Sequence, residues 1–135
     1  MRNFYLALLA VILLLGTGCE RDKLDVLPAD ALYGTWELRA SSNGWGSSQV
    51  YQAGNGNKLT FSQNRYVRNF EGKKQAGKYR LKAAVSDLTK RPTTYIVFYE
   101  GNEPAHTLPQ SVSTANDTLI LGMDVYDGGF SITRR

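Results

Sequence analysis

An all-β fold, an antiparallel up-and-down barrel of about eight short strands, is predicted by three features of this chain. From Tyr33 onward apolar residues recur with period two, the signature of half-buried strands. Turn-forming clusters interrupt that pattern at even intervals: Ser41 to Ser48, Gly54-Asn55-Gly56-Asn57, Gln63-Asn64, Glu71-Gly72, Lys90-Arg91-Pro92, Gly101 to Pro104, Ala115-Asn116-Asp117 and Tyr126 to Gly129. Beyond Leu32 no stretch keeps a 3.6-residue period long enough for a helix of any size.

Before the strands comes a different kind of segment. Met1-Arg2-Asn3 is short and positive, Phe4 to Leu15 is an unbroken apolar run, and small residues follow as far as Gly18. That order reads as a secretory leader over residues 1–18. Its apolar run is too short to cross a bilayer as a membrane helix, which needs ~20 residues. Cys19 follows at once and is the only cysteine. A lone thiol in an oxidising compartment invites intermolecular disulfides, so its presence needs a reason. Gly16-Thr17-Gly18-Cys19 resembles the lipobox of bacterial lipoproteins, where signal peptidase cuts before a cysteine that is then acylated on its sulfur and on its new amino group. Gly16 stands where that pattern usually has leucine, with Leu15 one place earlier. The resemblance implies lipidation at Cys19 and residence in the bacterial cell envelope, on the periplasmic or outer face of the outer membrane. Several acyl chains, each buried methylene contributing ~0.8 kcal/mol, make such an anchor permanent.

Residues 19–31 are then the acylated N-terminus and a tether, charged, free of aromatics and broken by Pro28. About ten extended residues reach at most ~35 Å, which keeps the folded unit near the membrane. Leu27 to Leu32 is expected to form one helical turn, with proline tolerated at its start, leading into a barrel domain over residues 32–135.

The strands follow in order. Trp36, Leu38 and Ala40 alternate with Thr35, Glu37 and Arg39, Leu59 and Phe61 with Lys58, Thr60 and Ser62, and Tyr79 and Leu81 with Lys78, Arg80 and Lys82. Tyr95 to Tyr99 is apolar on both faces and Thr118 to Met123 nearly so, which puts each at the centre of the β-structure or beneath a covering segment. Tyr33, Trp36, Leu38, Leu59, Phe61, Tyr66, Phe70, Tyr79, Leu81, Ile96, Phe98, Leu119, Leu121, Phe130 and Ile132 are expected inside. Eight strands enclose space for side chains or one small ligand, and so many rings leave little of it empty.

Charge excludes one class of partner. Sixteen basic residues face twelve acidic, and losing Arg2 with the leader leaves fifteen against twelve. Lys73, Lys74, Lys78, Arg80 and Lys82 alternate with Tyr79 and Leu81 as the solvated face of one strand, so no nucleic-acid partner is expected.

Tyr33-Gly34-Thr35-Trp36-Glu37-Leu38 carries the Gly-x-Trp opening of lipocalins. With Lys58 to Phe61, Gly77-Lys78-Tyr79, Asp117 to Leu121 and the terminal Phe130 to Arg134, the chain from Leu32 to Arg135 is similar to the small lipocalin-like domains of Gram-negative envelope lipoproteins. It is shorter than the long lipocalins and has no disulfide. The resemblance implies that Gly34 and Trp36 close one end of the barrel and that Arg134, from the last strand, lies across the indole. A cation over an indole face contributes ~1–2 kcal/mol when shielded from water.

Residues that could carry chemistry are few. His106 is the only histidine and lies in a loop, so no metal site and no cofactor are expected. Asp124, Asp127 and Gly128-Gly129 are interrupted by Met123, Val125 and Tyr126 and read as a hairpin turn, not a calcium loop. Glu100 and Glu103 flank a Gly-Asn turn as solvated acids. Thr118, after Asn116-Asp117, sits in a short pattern shared by glycosylation acceptors and by ordinary strand starts. Trp45 stands alone between Gly44 and Gly46, either folded back as a lid over the barrel mouth or offered as a ligand or partner contact. No catalytic residue is assigned. The expected function is binding of a small apolar or amphipathic ligand by a membrane-anchored module; the alternative is a protein-interaction or inhibitor module with a filled core.

Overall fold

A computed structural model describes residues 26–105, 108–125 and 128–135. The stretch read as a leader, Cys19, the first part of the stretch read as a tether, His106 and Asp127 lie outside the described residues. A 3-10 turn (Ala29–Leu32) is followed by ten strands: β1 (Gly34–Ser42), β2 (Ser48–Val50), β3 (Lys58–Ser62), β4 (Arg65–Phe70), β5 (Lys73–Val85), β6 (Pro92–Glu100), β7 (Glu103–Pro104), β8 (Gln110–Ala115), β9 (Thr118–Met123) and β10 (Phe130–Arg134). Eight of them pair in the order β1-β3-β4-β5-β6-β8-β9-β10, and β10 pairs back onto β1. Every pairing is antiparallel, so the sheet is a closed up-and-down barrel. β2 and β7 are short returns beside β1 and β6.

The inner face follows the expected alternation through most of the chain. Trp36, Leu59, Phe61, Tyr66, Tyr79, Ile96, Phe98, Leu119 and Leu121 form one buried cluster, with Phe70 and Leu81 packed against it. Phe61 meets Tyr79 edge-on at 5.1 Å between centroids, and Tyr66 meets Phe98 at 4.7 Å, so rings occupy the middle of the barrel. Lys74, Lys78, Arg80 and Lys82 point to solvent as read. Val112, on a strand otherwise made of small polar residues, joins the core without having been expected there.

β5 runs for thirteen residues because it serves two neighbours in turn. Arg65 to Phe70 pair with its first half and Pro92 to Tyr99 with its second. Gly77 stands at the handover, where a Cβ would fall on the Tyr99 carbonyl oxygen and press on the Tyr66 ring. Only glycine allows that close approach of backbones.

The last strand is where sequence parity misled. Leu119 and Leu121 are inside, and their partners across the ladder are Thr133 and Ser131. Phe130 and Ile132 therefore face outward, Ile132 beside Ile120 and Phe130 exposed. A one-residue slip moves every side chain of a strand to the other face. The same slip corrects the closing cation: Arg134 is exposed on the outer face, and it is Arg135 whose guanidinium lies 4.3 Å from the Trp36 ring centroid. Tyr33, also expected inside, is exposed, because the 3-10 turn delivers Leu32 to the interior instead.

That turn is the plug of the closed end. Leu27 packs against the core and its N–H donates to Thr94 Oγ1 at 2.9 Å, so the folded unit starts within the stretch read as tether. Leu32 is fully buried, and its carbonyl accepts from Trp36 Nε1 at 2.7 Å. Arg135 Nη2 donates to the carbonyls of Ala31 (3.2 Å) and Tyr33 (2.7 Å), tying the end of the chain to the plug. Gly34 joins plug to strand at φ +116°, a backbone state that L side chains rarely adopt.

Trp36→Ala should lower stability by ~3–5 kcal/mol, since it empties the closed end. Arg135→Ala should cost ~1–2 kcal/mol through the lost ring contact and plug bonds, and Arg134→Ala no more than about 0.5 kcal/mol. Urea unfolding of the three variants gives this ranking; equal losses at Arg134 and Arg135 would reject the assignment of the closing cation.

Candidate functional site

β6 is apolar on both faces because each face meets apolar surroundings. Thr94, Ile96 and Phe98 turn into the barrel, while Tyr95, Val97 and Tyr99 are half-buried on its outer wall. These three line a groove of about 520 Å³ together with Ala84 and Val85 of β5 and with Leu108, Met123 and Val125. The covering segment anticipated from the sequence is thus supplied by the residues before β8 and after β9, and it covers the strand only in part. Val85, Leu108, Met123 and Val125 remain exposed, and Lys82, Asp87 and Asp124 are the charged groups of the lining.

Asp124 holds the groove together. Its carboxylate accepts from Ser86 Oγ at 2.7 Å and from the Tyr95 hydroxyl. Ser86 is buried, and its Oγ also accepts from the Thr89 N–H while its carbonyl accepts from the Lys90 N–H, each at 2.9 Å. One carboxylate therefore ties the β5–β6 turn, the groove floor and the segment after β9. The Tyr95 bond, then the Ser86 bond, hold the Asp124 carboxyl below its ordinary range, and the same bond to Asp124 raises the Tyr95 hydroxyl.

The barrel interior is polar where it opens. Between Leu38 and Ala40 the β1–β10 register shifts by a bulge, after which Ser41 faces Ser131. Both serines line a cavity of about 270 Å³ with Leu38, Tyr51, Asn57, Phe70 and Glu71. On the inner face of β4, Arg68 lies between Tyr66 and Phe70, its guanidinium carbon 5.4 Å from the Phe70 ring centroid and 5.1 Å from that of Phe98. Arg68 Nε, the Tyr66 hydroxyl and Gln110 Oε1 are buried without a hydrogen-bond partner among the described residues. Burial lowers the Arg68 pKa and raises that of Tyr66. Arg68 was not picked out from the sequence, although Tyr66, Arg68 and Phe70 share one parity and a cation in that row was the available signal.

The remaining sequence candidates disperse. Trp45 is 83% exposed and lines neither the groove nor the mouth cavity, which removes the lid reading and leaves the contact reading. Its loop is held open by Asn43 Oδ1, which accepts the Trp45 N–H at 3.0 Å. Glu100 and Glu103 face each other across the β6–β7 turn, both exposed. Asp124 sits in the clamp, and Gly128 N–H donates to the Val125 carbonyl at 3.0 Å within the hairpin read from the sequence. Thr118 opens β9, half-buried. Comparison of the chain with protein-family models, with curated proteins and with solved structures gives no match.

Because the folded-state pKa of Asp124 is lowered, its clamp is complete above the ordinary carboxylate range and is lost as pH falls through the depressed value. The protection factors of the Thr89 and Lys90 amides, taken against the intrinsic exchange rate at each pH, should be high and constant across neutral pH and fall only in acid. Asp124→Asn should make exchange at these two amides fast at neutral pH as well; unchanged protection would detach Asp124 from the groove.

Proposed function

We propose that the chain is an exported bacterial lipoprotein, anchored through acylated Cys19, whose lipocalin-like barrel binds a small apolar or amphipathic molecule in the groove on its outer wall. The observation that carries this reading is the apolar floor Tyr95-Val97-Tyr99, half-covered and about 520 Å³ in extent, beside a β5 wall whose outward positions are mostly lysine and arginine. Apolar concavities with a few charged groups at their rim are the usual form of ligand sites. The middle of the barrel, filled by Phe61, Tyr66, Tyr79 and Phe98, leaves the outer wall as the larger apolar opening.

The anchor sets the orientation. Seven residues lie between Cys19 and Leu27, a span of at most ~28 Å, and Leu27 is fixed at the plugged end. The plug faces the membrane and the barrel mouth faces away. Nothing in this reading requires bond-making chemistry, and no catalytic residue is assigned.

A second reading, contact with an envelope protein through Trp45, is favoured by the 83% exposure of that ring on a loop between glycines. Large exposed aromatics are the anchors of protein interfaces.

Two measurements test the proposal. An uncharged fluorescent probe, N-phenylnaphthylamine, should be taken up by the folded protein, and Val97→Asp should weaken uptake by about tenfold, the effect of ~1.4 kcal/mol. Trp45→Ala should leave uptake unchanged. Uptake that depends on Trp45 and not on Val97 would move the site to the loop, and no uptake at all would favour the protein contact. Intact-mass measurement of the mature protein should find Cys19 acylated at the N-terminus, and Cys19→Ser should accumulate as unprocessed precursor; an unmodified Cys19 would remove the anchor.

A further inference from the structure

A charged side chain inside a barrel this small has to be answered by something. Arg68 points inward on β4, opposite the fully buried Leu59 on β3 and Gln75 on β5. Its neighbours are the faces of Phe70 and Phe98, which stabilise a cation but leave its Nε N–H without an acceptor. Nε is buried and unpaired, and the phenol of Tyr66, a residue 1% exposed that packs on the same Phe98 ring, is likewise without a partner. The carboxylate felt by both groups is Glu100, which is exposed and forms no ion pair with Arg68. Among the described residues the one ion pair is Arg39–Glu37, at 3.1 Å.

Buried polar groups are nearly always hydrogen-bonded, and a cation drawn partly out of water without an anion is unfavourable. Both side chains pack on the Phe98 ring, so two unpaired donors of the kind that bind an oxyanion share one aromatic neighbour. We propose that Arg68 and the Tyr66 hydroxyl bind the carboxylate of a small amphipathic molecule inside the barrel, with its apolar body against Phe70 in the mouth cavity. The guanidinium fork matches a planar carboxylate, and the phenol adds a third donor. Phe70 links the two parts: its ring meets the guanidinium and also lines the cavity of about 270 Å³. The site is separate from the outer groove: none of Tyr66, Arg68 and Phe70 lines that groove.

Benzoate and its uncharged isostere benzamide are suitable probes, being water-soluble and small enough for the cavity. With the full chain in a non-ionic detergent at constant ionic strength, benzoate should raise the unfolding temperature in a concentration-dependent way and benzamide should not. Arg68→Met should fold with an unfolding temperature equal to or above that of the unchanged protein, because a half-buried cation with a dry, unpaired Nε is replaced by an apolar chain of similar reach. It should bind benzoate at least about tenfold more weakly, the loss of one charge-assisted bond. Tyr66→Phe should keep its stability and weaken benzoate several-fold. Equal responses to benzoate and benzamide, no response to either, or undiminished benzoate binding by Arg68→Met would each overturn the site. So would marked destabilisation of both Arg68→Met and Tyr66→Phe without benzoate, which would make the pair part of the scaffold.

Discussion

The buried indole of Trp36 needs an acceptor for its N–H, and the way the chain supplies one organises the closed end of the barrel. An indole N–H sealed away from water and left unpaired costs several kcal/mol, so the Leu32 carbonyl must arrive at it. That carbonyl arrives because Pro28 starts a single 3-10 turn and because Gly34 accepts φ +116° between turn and strand. The carbonyls of Ala31 and Tyr33 are then left at the barrel rim, and Arg135 takes both while covering the ring. First and last segments of the domain are thereby joined through one aromatic side chain, which is how an eight-stranded ring with little room inside keeps its seam shut.

The rest of the wall divides by polarity. Most outward positions of β5 carry lysine or arginine and are solvated, whereas the outward row of β6 is apolar and finds partial cover from the loops that precede β8 and follow β9. Asp124 keeps that cover in place by accepting from Ser86 and Tyr95, a case of one carboxylate fixing three segments through short charge-assisted bonds. Inside, the bulge in β1 turns a serine toward the interior, and Ser131 stands opposite it. The mouth is consequently a place where Arg68 can sit half-buried among aromatic rings with its Nε dry.

Much of the architecture was legible in the residues. Period two, evenly spaced turns and the absence of a helical period are local signals, and they lead to an antiparallel barrel without any knowledge of contacts. The doubly apolar YIVFY run pointed to the centre of the β-structure or to a covering segment, and the structure supplies a partial cover. What escaped was parity. In Phe130 to Arg134 one alternate set carries Phe and Ile and the other Ser and Thr, so composition favoured the wrong face. Only pairing with Leu119 and Leu121 decides it, and that one decision moves Phe130, Ile132 and Arg134 outside together and brings Arg135 to Trp36. Trp45 escaped for a related reason: a ring in a glycine-flanked loop carries no information about which way the loop leans.

The order of strands, the row of rings that fills the barrel and the apolar turn before Gly34 were determined by the sequence alone, because each depends on the chemistry of a few neighbouring residues and on the short reach of a strand or turn. The register of β10, the bulge at Arg39, the corner at Gly77 and the meeting of Asp124 with Ser86 and Tyr95 were decided only when the sheet closed. Closure requires eight registers to agree at once, and that condition couples residues far apart in the chain. No local pattern records it, which is why the groove and the Arg68 site became visible only in the folded barrel.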